Sequence, residues 1–471
     1  MKRIILFLTI CFPIFLSAQT VTVSEGLTIR NDKGYAIIGK YKDKFLLYRE
    51  KQTSFEIQAF DNKMRTSWKK EIELDKKRPA PLEIVPAKDY FSLVYQYKLK
   101  GDYALKINRY DPAANLMDSL TFKVYDDLFY QPKLEVIHSE DKNIIVVYFF
   151  ERQTTLHLLT YDIKQMKLLW DKKIVFDDSF YYREFQQLLV NNEGEFFFIT
   201  GKDNKKNKRT NHLYEIFQFN KVGELIKFTI PMQEYLTYDI HFTYDNLNRK
   251  LLAAGLFSEK SRGKANGYFF LKIPPKNPTA HTIKFNKFDD DFLITLSGKE
   301  KSKSNGLVDT DIQEIVLRKD GGILVIAEKN KEYERRLGSR SYGGREGRGM
   351  IVDYYYDDIF VISIHPDGET HWKTILHKKQ YSQDDGAAFS SFFLLKTPNS
   401  IRFLFNDEIR FENTVSEYVV DGMGSSNRNS VMSTEDQNIQ LRFREGLQVG
   451  SNEFILPSER RNRLKLVRVV Y

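Results

Sequence analysis

Apolar and polar residues alternate over short runs along most of the chain. Phe55–Phe60 and Tyr103–Ile107 are two examples. Alternation with a period of two, rich in aromatic and β-branched residues and bounded by Asp, Asn, Gly and Lys, is typical of strands with one buried face. No stretch shows a convincing helical period, so the sequence predicts an all-β chain.

The strand patterns recur in sets of four. The first set runs from Gly34 to Leu74, and its four alternating runs are joined by short polar turns. The later sets begin near Leu82, Lys133, Glu184, Thr237, Val308, Ala388 and Ile439. Similarity at a period of roughly 40 to 50 residues indicates the blades of a β-propeller. We therefore expect a propeller of about eight four-stranded blades, with seven as the second choice.

The turn between the third and fourth strands of a set supports this repeat. In each turn a polar residue ends one strand and a position seven or eight residues later opens the next. The pairs are Asp61 with Trp68, Asp111 with Asp118, Asp162 with Trp170, Asn220 with Lys227, and His365 with Trp372. All three tryptophans of the chain occupy this one repeat position, which a chance distribution would rarely produce.

The last set contains only three predicted strands, because the chain ends after Leu464–Val470. An unassigned strand pattern, Thr20–Val23, lies near the start of the chain. If this strand pairs with the last set, the ring closes and an exposed sheet edge is removed. We expect a single propeller domain over residues 19–471.

The first eighteen residues have the order of a secretory signal peptide. Lys2 and Arg3 precede the apolar stretch Ile4–Leu16, and the small residues Ser17 and Ala18 follow it. We expect removal of residues 1–18 and export of the remainder. No later segment reaches the roughly 20 uninterrupted apolar residues of a membrane helix. The mature chain is therefore expected to be peripheral to the membrane, without a transmembrane segment.

Cysteine is confined to Cys11, inside the predicted signal peptide. Leu8–Cys11 loosely resembles a lipoprotein cleavage box, but Ile10 is too bulky for that box and little apolar sequence precedes it. Removal of the signal would leave no thiol, so we expect neither disulfides nor thiol catalysis.

The charge is mildly basic. The full chain carries 72 basic and 63 acidic residues, a net charge of +9, and loss of Lys2 and Arg3 would leave +7. A solvated surface of mixed charge explains this value, and an anionic partner would also favour it. Without a recognition-helix pattern or a concentrated basic tract, nucleic-acid binding is not expected.

Residues 328–350 do not fit the repeat and concentrate arginine and glycine. They lack the ordered glycine-to-lysine spacing of a phosphate-binding loop. Two interpretations remain open: a mobile hairpin extension, or a docking loop that orders on a partner. The candidate partner-binding residues are Arg335, Arg336, Arg340, Tyr342, Arg345 and Arg348.

Residues 420–437 form a second predicted insertion, rich in Gly, Ser, Asn and Met. We interpret them as a disordered tip or as a recognition loop. Loops on one rim of a rigid scaffold are where such folds usually carry function.

Local motifs for catalysis, metal or cofactor binding are not evident. The eight histidines are scattered without a metal-ligand period, and no Gly-x-Ser-x-Gly motif occurs. Acidic runs such as Asp177–Asp178, Asp289–Asp291, Asp357–Asp358 and Asp384–Asp385 lack the order of a calcium loop and are interpreted as solvated loops. No cofactor or metal is expected. Propeller active sites are assembled from separate blades, so an enzyme stays as the alternative.

Two turns resemble the quinoprotein-type repeat, in which Asp after an aromatic residue precedes a Trp that packs between blades. These turns run from Ala59–Asp61 to Trp68 and from Thr160–Asp162 to Trp170. Proteins with this repeat include quinone-dependent dehydrogenases and cofactor-free scaffolds, such as the accessory lipoprotein of the outer-membrane barrel-assembly machinery. The chain departs from the dehydrogenases because its turns are irregular and it shows no cysteine pair or calcium-binding set.

A signal ending Leu-Ser-Ala-Gln, followed by irregular Lys- and Tyr-rich blades, resembles periplasmic or surface propellers of Bacteroidota-type bacteria. Some of these accompany outer-membrane translocons, including the plug-like subunit of the type 9 secretion translocon. The resemblance implies a non-catalytic envelope scaffold or secretion accessory that binds an outer-membrane protein or translocon through rim loops. It also implies a periplasmic location at the outer membrane, with the cell surface as the alternative. The competing function is a carbohydrate-active or quinone-dependent enzyme with a site in the central channel.

Overall fold

The computed structural model describes eleven stretches of the chain. They are residues 19–75, 79–125, 131–176, 184–202, 212–220, 224–259, 263–298, 306–336, 350–409, 414–434 and 438–471. Of Arg336 only the backbone is described. The predicted signal peptide lies outside these stretches.

The described strands form eight antiparallel sheets, which confirms the predicted eight-bladed propeller. Each sheet is one blade, and the first strand of each blade lies innermost. The strands of blades 1 to 4 are β3 (Asp32–Tyr41), β4 (Lys44–Lys51), β5 (Phe55–Phe60), β6 (Thr66–Ile72); β7 (Ala80–Pro86), β8 (Phe91–Leu99), β9 (Asp102–Tyr110), β10 (Leu116–Tyr125); β11 (Glu135–His138), β12 (Ile144–Glu151), β13 (Thr155–Asp162), β14 (Lys167–Val175); and β15 (Phe185–Val190), β16 (Phe196–Lys202), β17 (Leu213–Phe219), β18 (Leu225–Pro231).

The second half of the chain continues the pattern, with an added strand in blade 6. The strands of blades 5 to 8 are β19 (Leu236–Asp245), β20 (Lys250–Ser258), β21 (Gly267–Ile273), β22 (Thr282–Lys287); β23 (Thr310–Leu317), β24 (Ile323–Arg336), β25 (Met350–Ile364), β26 (Thr370–Leu376), β27 (Gln380–Gln383); β28 (Phe393–Lys396), β29 (Ser400–Asn406), β30 (Thr414–Asp421), β31 (Ser426–Ser433); and β32 (Leu447–Gly450), β33 (Glu453–Arg460), β34 (Arg463–Val470).

The start and the end of the described chain close the ring, as the sequence predicts. Strand β1 (Thr20–Val23) pairs antiparallel with β34, with Thr20 opposite Val470, and the short β2 (Leu27–Thr28) pairs with the same strand. Blade 8 therefore takes its outer strand from the N-terminal region. A side-chain bond also crosses the closure, since Lys40 of blade 1 donates to Glu453 of blade 8 at 2.6 Å.

The core is divided into eight apolar clusters, one between each pair of neighbouring blades. Between blades 3 and 4, for example, Phe196 stacks on Phe219 and lies 5.0 Å from the ring of Trp170. All three tryptophans lie on the outermost strand of a blade, partly buried against a cluster. The fold is thus held by the packing of each blade on the next, and second strands such as β4 and β12 are buried on both faces, where the alternation had indicated one.

The antiparallel order places the turns of each blade on two faces of the ring. Turns between the first and second strands and between the third and fourth lie on one face. Turns between the second and third strands lie on the other. We call the second face the β24 face, because the longest hairpin of the described chain extends from it.

One α-helix lies between the blades of the described, otherwise all-β chain. Asp289–Asp291, interpreted above as a solvated loop, opens helix α1 (Asp290–Ser297) between blades 5 and 6. The Asp289 carboxylate caps the helix by accepting from the Phe292 amide, and Phe292, Leu293 and Leu296 are buried. Eight residues are too few for periodicity to be evident in the sequence. Among the described residues, no helix is long and apolar enough to cross a membrane.

The predicted insertion 420–437 is largely a regular part of blade 7. Residues Ser426–Ser433 form its outer strand β31, and residues 435–437 lie outside the described stretches. The sequence shows no apolar alternation in this strand, because the first five of its eight side chains are exposed. Gly424 in the preceding turn has φ +84°, and a Cβ there would come within 2.6 Å of the Trp372 ring. Glycine is therefore required at position 424 both by the left-handed backbone of the turn and by the close contact with Trp372.

Candidate docking surface

Blade 6 carries a hairpin that extends beyond the other described hairpins. Strands β24 and β25 have 14 and 15 residues, and their outer parts pair in register from Asn330 opposite Tyr356 to Arg336 opposite Met350. At about 3.3 Å per residue these seven pairs span roughly 20 Å. We call Asn330–Arg336, Met350–Tyr356 and the adjoining β27 the arm.

Strand β27 supports the arm from one side. It pairs with β25 from Asp353 opposite Gln383 to Tyr356 opposite Gln380. The rings of Tyr355 and Tyr381 lie 5.1 Å apart across this pairing. The arm is therefore a three-stranded sheet, which is more stable than an isolated hairpin in water.

A buried ion pair fixes the root of the arm. Lys378 and Glu328 have side chains that are 1% and 0% exposed, and their charged atoms lie 2.6 Å apart. The Lys378 ammonium also donates to the Tyr356 carbonyl at 2.9 Å and to Gln380 Oε1 at 3.0 Å. The Ser391 hydroxyl donates to the second oxygen of Glu328 at 2.6 Å. Burial lowers the pKa of Lys378, and the Glu328 carboxylate opposes that shift.

Two further contacts hold the root of the arm, one from α1 and one from the residue that precedes β23. The Lys329 ammonium donates to the Leu296 carbonyl near the end of α1 at 2.6 Å, and the Asn330 amide donates to the Asp309 carbonyl at 2.9 Å. A shift in register between Glu328 and Asn330 marks the point where the blade becomes the arm. The direction of the arm is therefore set by bonds from both neighbouring elements.

The structure places the predicted docking residues in different settings. Arg335 lies on the arm and its guanidinium bonds the buried Asp353 carboxylate at 2.5 and 3.2 Å, while Tyr381 donates to the same carboxylate at 2.7 Å. The Arg336 backbone pairs with Met350. The other four predicted residues lie outside the described stretches: Arg340, Tyr342, Arg345 and Arg348.

The arm also exposes aromatic and apolar side chains that the sequence analysis did not select. Tyr333, Met350 and Tyr355 have exposed fractions of 55%, 55% and 37%. Tyr333, Tyr355 and Tyr381 share one face, because residues directly opposite in antiparallel strands point the same way. Exposed tyrosine beside arginine is enriched at protein interfaces. The alternation of Lys331–Arg335 was the sequence signal that could have revealed this face.

Two clefts flank the arm on the β24 face. A cleft of about 550 Å³ lies between blades 6 and 7, lined by Asp357, Asp358, His377, Lys378, Lys379, Asp407, Glu408 and Arg428. A second, of about 430 Å³, lies beside β27 and is lined by Ser382, Gln383, Asp385, Phe389, Ile409 and Gln440. The arm and its two clefts together present charged and aromatic groups that a protein partner could contact.

The first cleft has a mixed charge. Arg428 pairs with Asp407, and His377 lies 3.2 Å from the Asp358 carboxylate. Burial raises the pKa of Asp357, and the neighbouring Lys329 opposes this shift. In the described part of the chain, no three His, Cys, Asp or Glu side chains are grouped so that they could hold a metal ion.

A further cavity, of about 410 Å³, lies against the inner strands of blades 6 to 8. Phe392, Phe393 and Phe443 contribute its apolar wall. The carboxylate in its lining, Glu314, is paired with Lys396. Arg444 at its edge lies over the ring of Tyr356 at 4.6 Å, so the cavity adjoins the root of the arm.

No family model matches the chain. No curated protein matches it. Similar solved structures include dihydro-heme d1 dehydrogenase NirN in complex with DHE, at 10% identity and TM-score 0.41 over 93% of this chain and 70% of that chain. Porphyromonas gingivalis dipeptidyl peptidase 4 has 11% identity and TM-score 0.45 over 92% of this chain and 56% of its own. The β-propeller domain of the Trilobed protease from Pyrococcus furiosus has 10% identity and TM-score 0.36 over 89% and 98%. These similarities assign neither a family nor an activity to the chain.

Proposed function

We propose that this chain is a non-catalytic scaffold of the bacterial envelope that binds a protein partner through the arm of blade 6. The observation that carries the proposal is a long hairpin, held at its root by a buried ion pair, that exposes Tyr333, Tyr355 and Arg335 to solvent. Holding the arm in one conformation costs conformational entropy. A partner that binds the arm would meet a surface that is already ordered.

The chemistry of the arm favours a protein partner over a small substrate. Its exposed groups stand on a projecting sheet, whereas small ligands are usually bound in concave and largely apolar pockets. The flanking clefts add charged groups on the same face.

The location belongs to the same proposal. The signal-like residues 1–18 support export, and we place the mature protein in the periplasm at the outer membrane, with the cell surface as the alternative. The partner would then be an outer-membrane protein or a translocon component that takes part in protein secretion. The mildly basic charge of the chain favours an anionic partner surface.

Affinity purification from solubilised membranes tests the proposal. The arm variant replaces Tyr333 and Met350, two exposed side chains of the arm, by Ser and retains Arg335, because removal of Arg335 would leave the buried Asp353 without its cation. The control is Leu247→Ser. Leu247 is an apolar side chain, 72% exposed, in the turn between β19 and β20 on the opposite face.

We expect the wild type and the Leu247 variant to retain one stoichiometric envelope protein and the arm variant to lose it. Circular dichroism should show that all three chains are folded. Recovery of the wild-type chain alone, or equal recovery of the partner with the arm variant, would contradict the proposal.

A further inference from the structure

The innermost strand of blade 7 has one edge without a described strand. Strand β28 pairs with β29 on one side only. The Gln448 side chain covers one position of the other edge, because the Lys396 amide donates to Gln448 Oε1 at 3.1 Å and Gln448 Nε2 donates to the Lys396 carbonyl at 2.8 Å. Both backbone groups of Lys396 therefore point away from β29.

Leu394 directs its backbone groups to the same edge. Backbone direction alternates along an antiparallel strand, so Leu394, two residues before Lys396, shares its direction. The turn after β28 agrees with this phase, because the Thr397 amide donates to the Ser400 carbonyl at 2.9 Å and so faces β29. No described residue bonds the outward amide or carbonyl of Leu394.

Blades 4 and 5 show what such an edge accepts. Gln187 Nε2 donates to the Phe242 carbonyl of an innermost strand at 2.9 Å, and the Phe242 amide donates to Gln187 Oε1 at 2.8 Å. Gln187 and Gln448 thus meet an inner strand in the same way, with one donor and one acceptor side by side. Leu394 instead lines the cavity of about 410 Å³. One residue of an extended peptide presents the same donor and acceptor, so this position is suited to a peptide backbone.

The same cavity has one positive charge without a counter-charge among the described residues. Its ionisable lining residues are Glu314, Lys396 and Arg444, and the first two pair with each other. Arg444 is exposed and makes no ion pair with a described residue, while its guanidinium lies over the Tyr356 ring. Stacking on an aromatic ring holds a guanidinium and leaves its N–H groups available to bind a carboxylate through two parallel bonds.

We propose that this cavity binds the free C-terminus of an extended protein segment. The residue before the terminus pairs through its N–H and C=O with Leu394, and the terminal carboxylate meets Arg444. The terminal side chain lies against the phenylalanine wall of the cavity. The cavity volume of about 410 Å³ lies within the range of roughly 300–1,000 Å³ that is usual for ligand pockets. The inference goes beyond the proposed function, because Tyr333 and Met350 of the arm take no part in it.

A short peptide isolates each contact from the ligand side. The probe is fluorescein-labelled Gly-Gly-Ala-Ala-Val with a free C-terminal carboxylate, measured by anisotropy with the full-length mature protein. Amidation of its C-terminus should weaken binding roughly tenfold, because the charged bond to Arg444 is lost. N-methylation of the residue before the terminus removes the N–H that donates to the Leu394 carbonyl, so it should weaken binding about fivefold.

Two protein variants test the same contacts from the other side. Arg444→Met should bind the free-carboxylate peptide roughly tenfold more weakly and should no longer distinguish it from the amidated form. Lys319→Met is the matched control, since it removes one positive charge from an exposed position in the turn between β23 and β24 on the opposite face. It should bind within about twofold of the wild type, because salt screens so distant a charge. Melting temperatures verify that both variants are folded, and hydrogen exchange of the wild type should slow around Leu394 when the peptide is added.

The inference is overturned if the free-carboxylate peptide does not bind, or if its amidated form, its N-methylated form or the Arg444→Met variant binds equally well. Competition by N-acetylvaline as strong as that of the pentapeptide would also overturn it, since a small carboxylate would then need no pairing at Leu394. The arm variant, Tyr333→Ser with Met350→Ser, should bind the peptide as the wild type does. Loss of the membrane partner and loss of peptide binding are therefore separate results.

Discussion

The ion pair at the root of the arm gives the sharpest test of how blade 6 is built. Lys378→Met removes the cation that faces Glu328 and keeps a side chain of similar length. Glu328 would keep the Ser391 hydroxyl as a donor but would lie buried without a compensating charge. The Tyr356 carbonyl would also lose the ammonium that bonds it at 2.9 Å.

The size of the effect follows from burial. Both side chains are almost fully enclosed, and breaking such a pair by removing one partner costs about 3–5 kcal/mol. The double variant Glu328→Met with Lys378→Met removes both charges, so it should be no less stable than Lys378→Met alone. The exposed pair of Lys331 and Asp309 provides the control, because Lys331→Met should cost at most about 1 kcal/mol.

Urea unfolding followed by tryptophan fluorescence measures these differences, since Trp372 lies on the outer strand of the same blade. Hydrogen exchange of the arm amides gives a local measurement in parallel. A Lys378→Met variant within 1 kcal/mol of the wild type, with unchanged exchange in the arm, would refute the role of the pair. A double variant far less stable than the single one would refute the assignment of the cost to an uncompensated charge.

Three other predictions concern the blades and their closure. Trp170→Ala should cost about 3 kcal/mol, the low end for a large core aromatic because its ring is only partly buried, measured by urea unfolding. Deletion of Thr20–Val23 should lower the melting temperature, since it exposes the edge of β34; an unchanged melting temperature would contradict the closure. Burial raises the pKa of Glu453, but hydrogen bonds from Lys40 and Arg468 outweigh it and leave the pKa below its usual value. Its stabilisation is therefore present above about pH 4.5 and lost as the pH falls below that, so Glu453→Gln should lose less stability than the wild type between pH 6 and pH 3.

The sequence predicted the features that follow from alternation and repetition. The recurrence of four short strand patterns joined by polar turns predicted the blades, and the repeat positions of Trp68, Trp170 and Trp372 follow from the packing of each blade on the next. The closure by Thr20–Val23 could be predicted because blade 8 lacked a strand.

Features that depend on contacts distant in sequence were missed. Ser426–Ser433 is a strand with mostly exposed side chains, so its pairing with β30 leaves no apolar pattern. Lys378 and Glu328 are fifty residues apart, and nothing in the sequence indicates that two such charges meet in the core. The arm was predicted as a mobile hairpin extension or a docking loop at residues 328–350, but its third strand, β27, was missed because it lies outside that range and pairs with β25.

Site-specific crosslinking in cells tests the central claim, that partners bind the arm. A photoreactive phenylalanine analogue in place of Tyr333 should yield one crosslinked envelope protein. The same analogue at Leu247 or Met423, which are 72% and 73% exposed in turns on the opposite face, should yield none. Crosslinks from Leu247 or Met423, with none from position 333, would contradict the account.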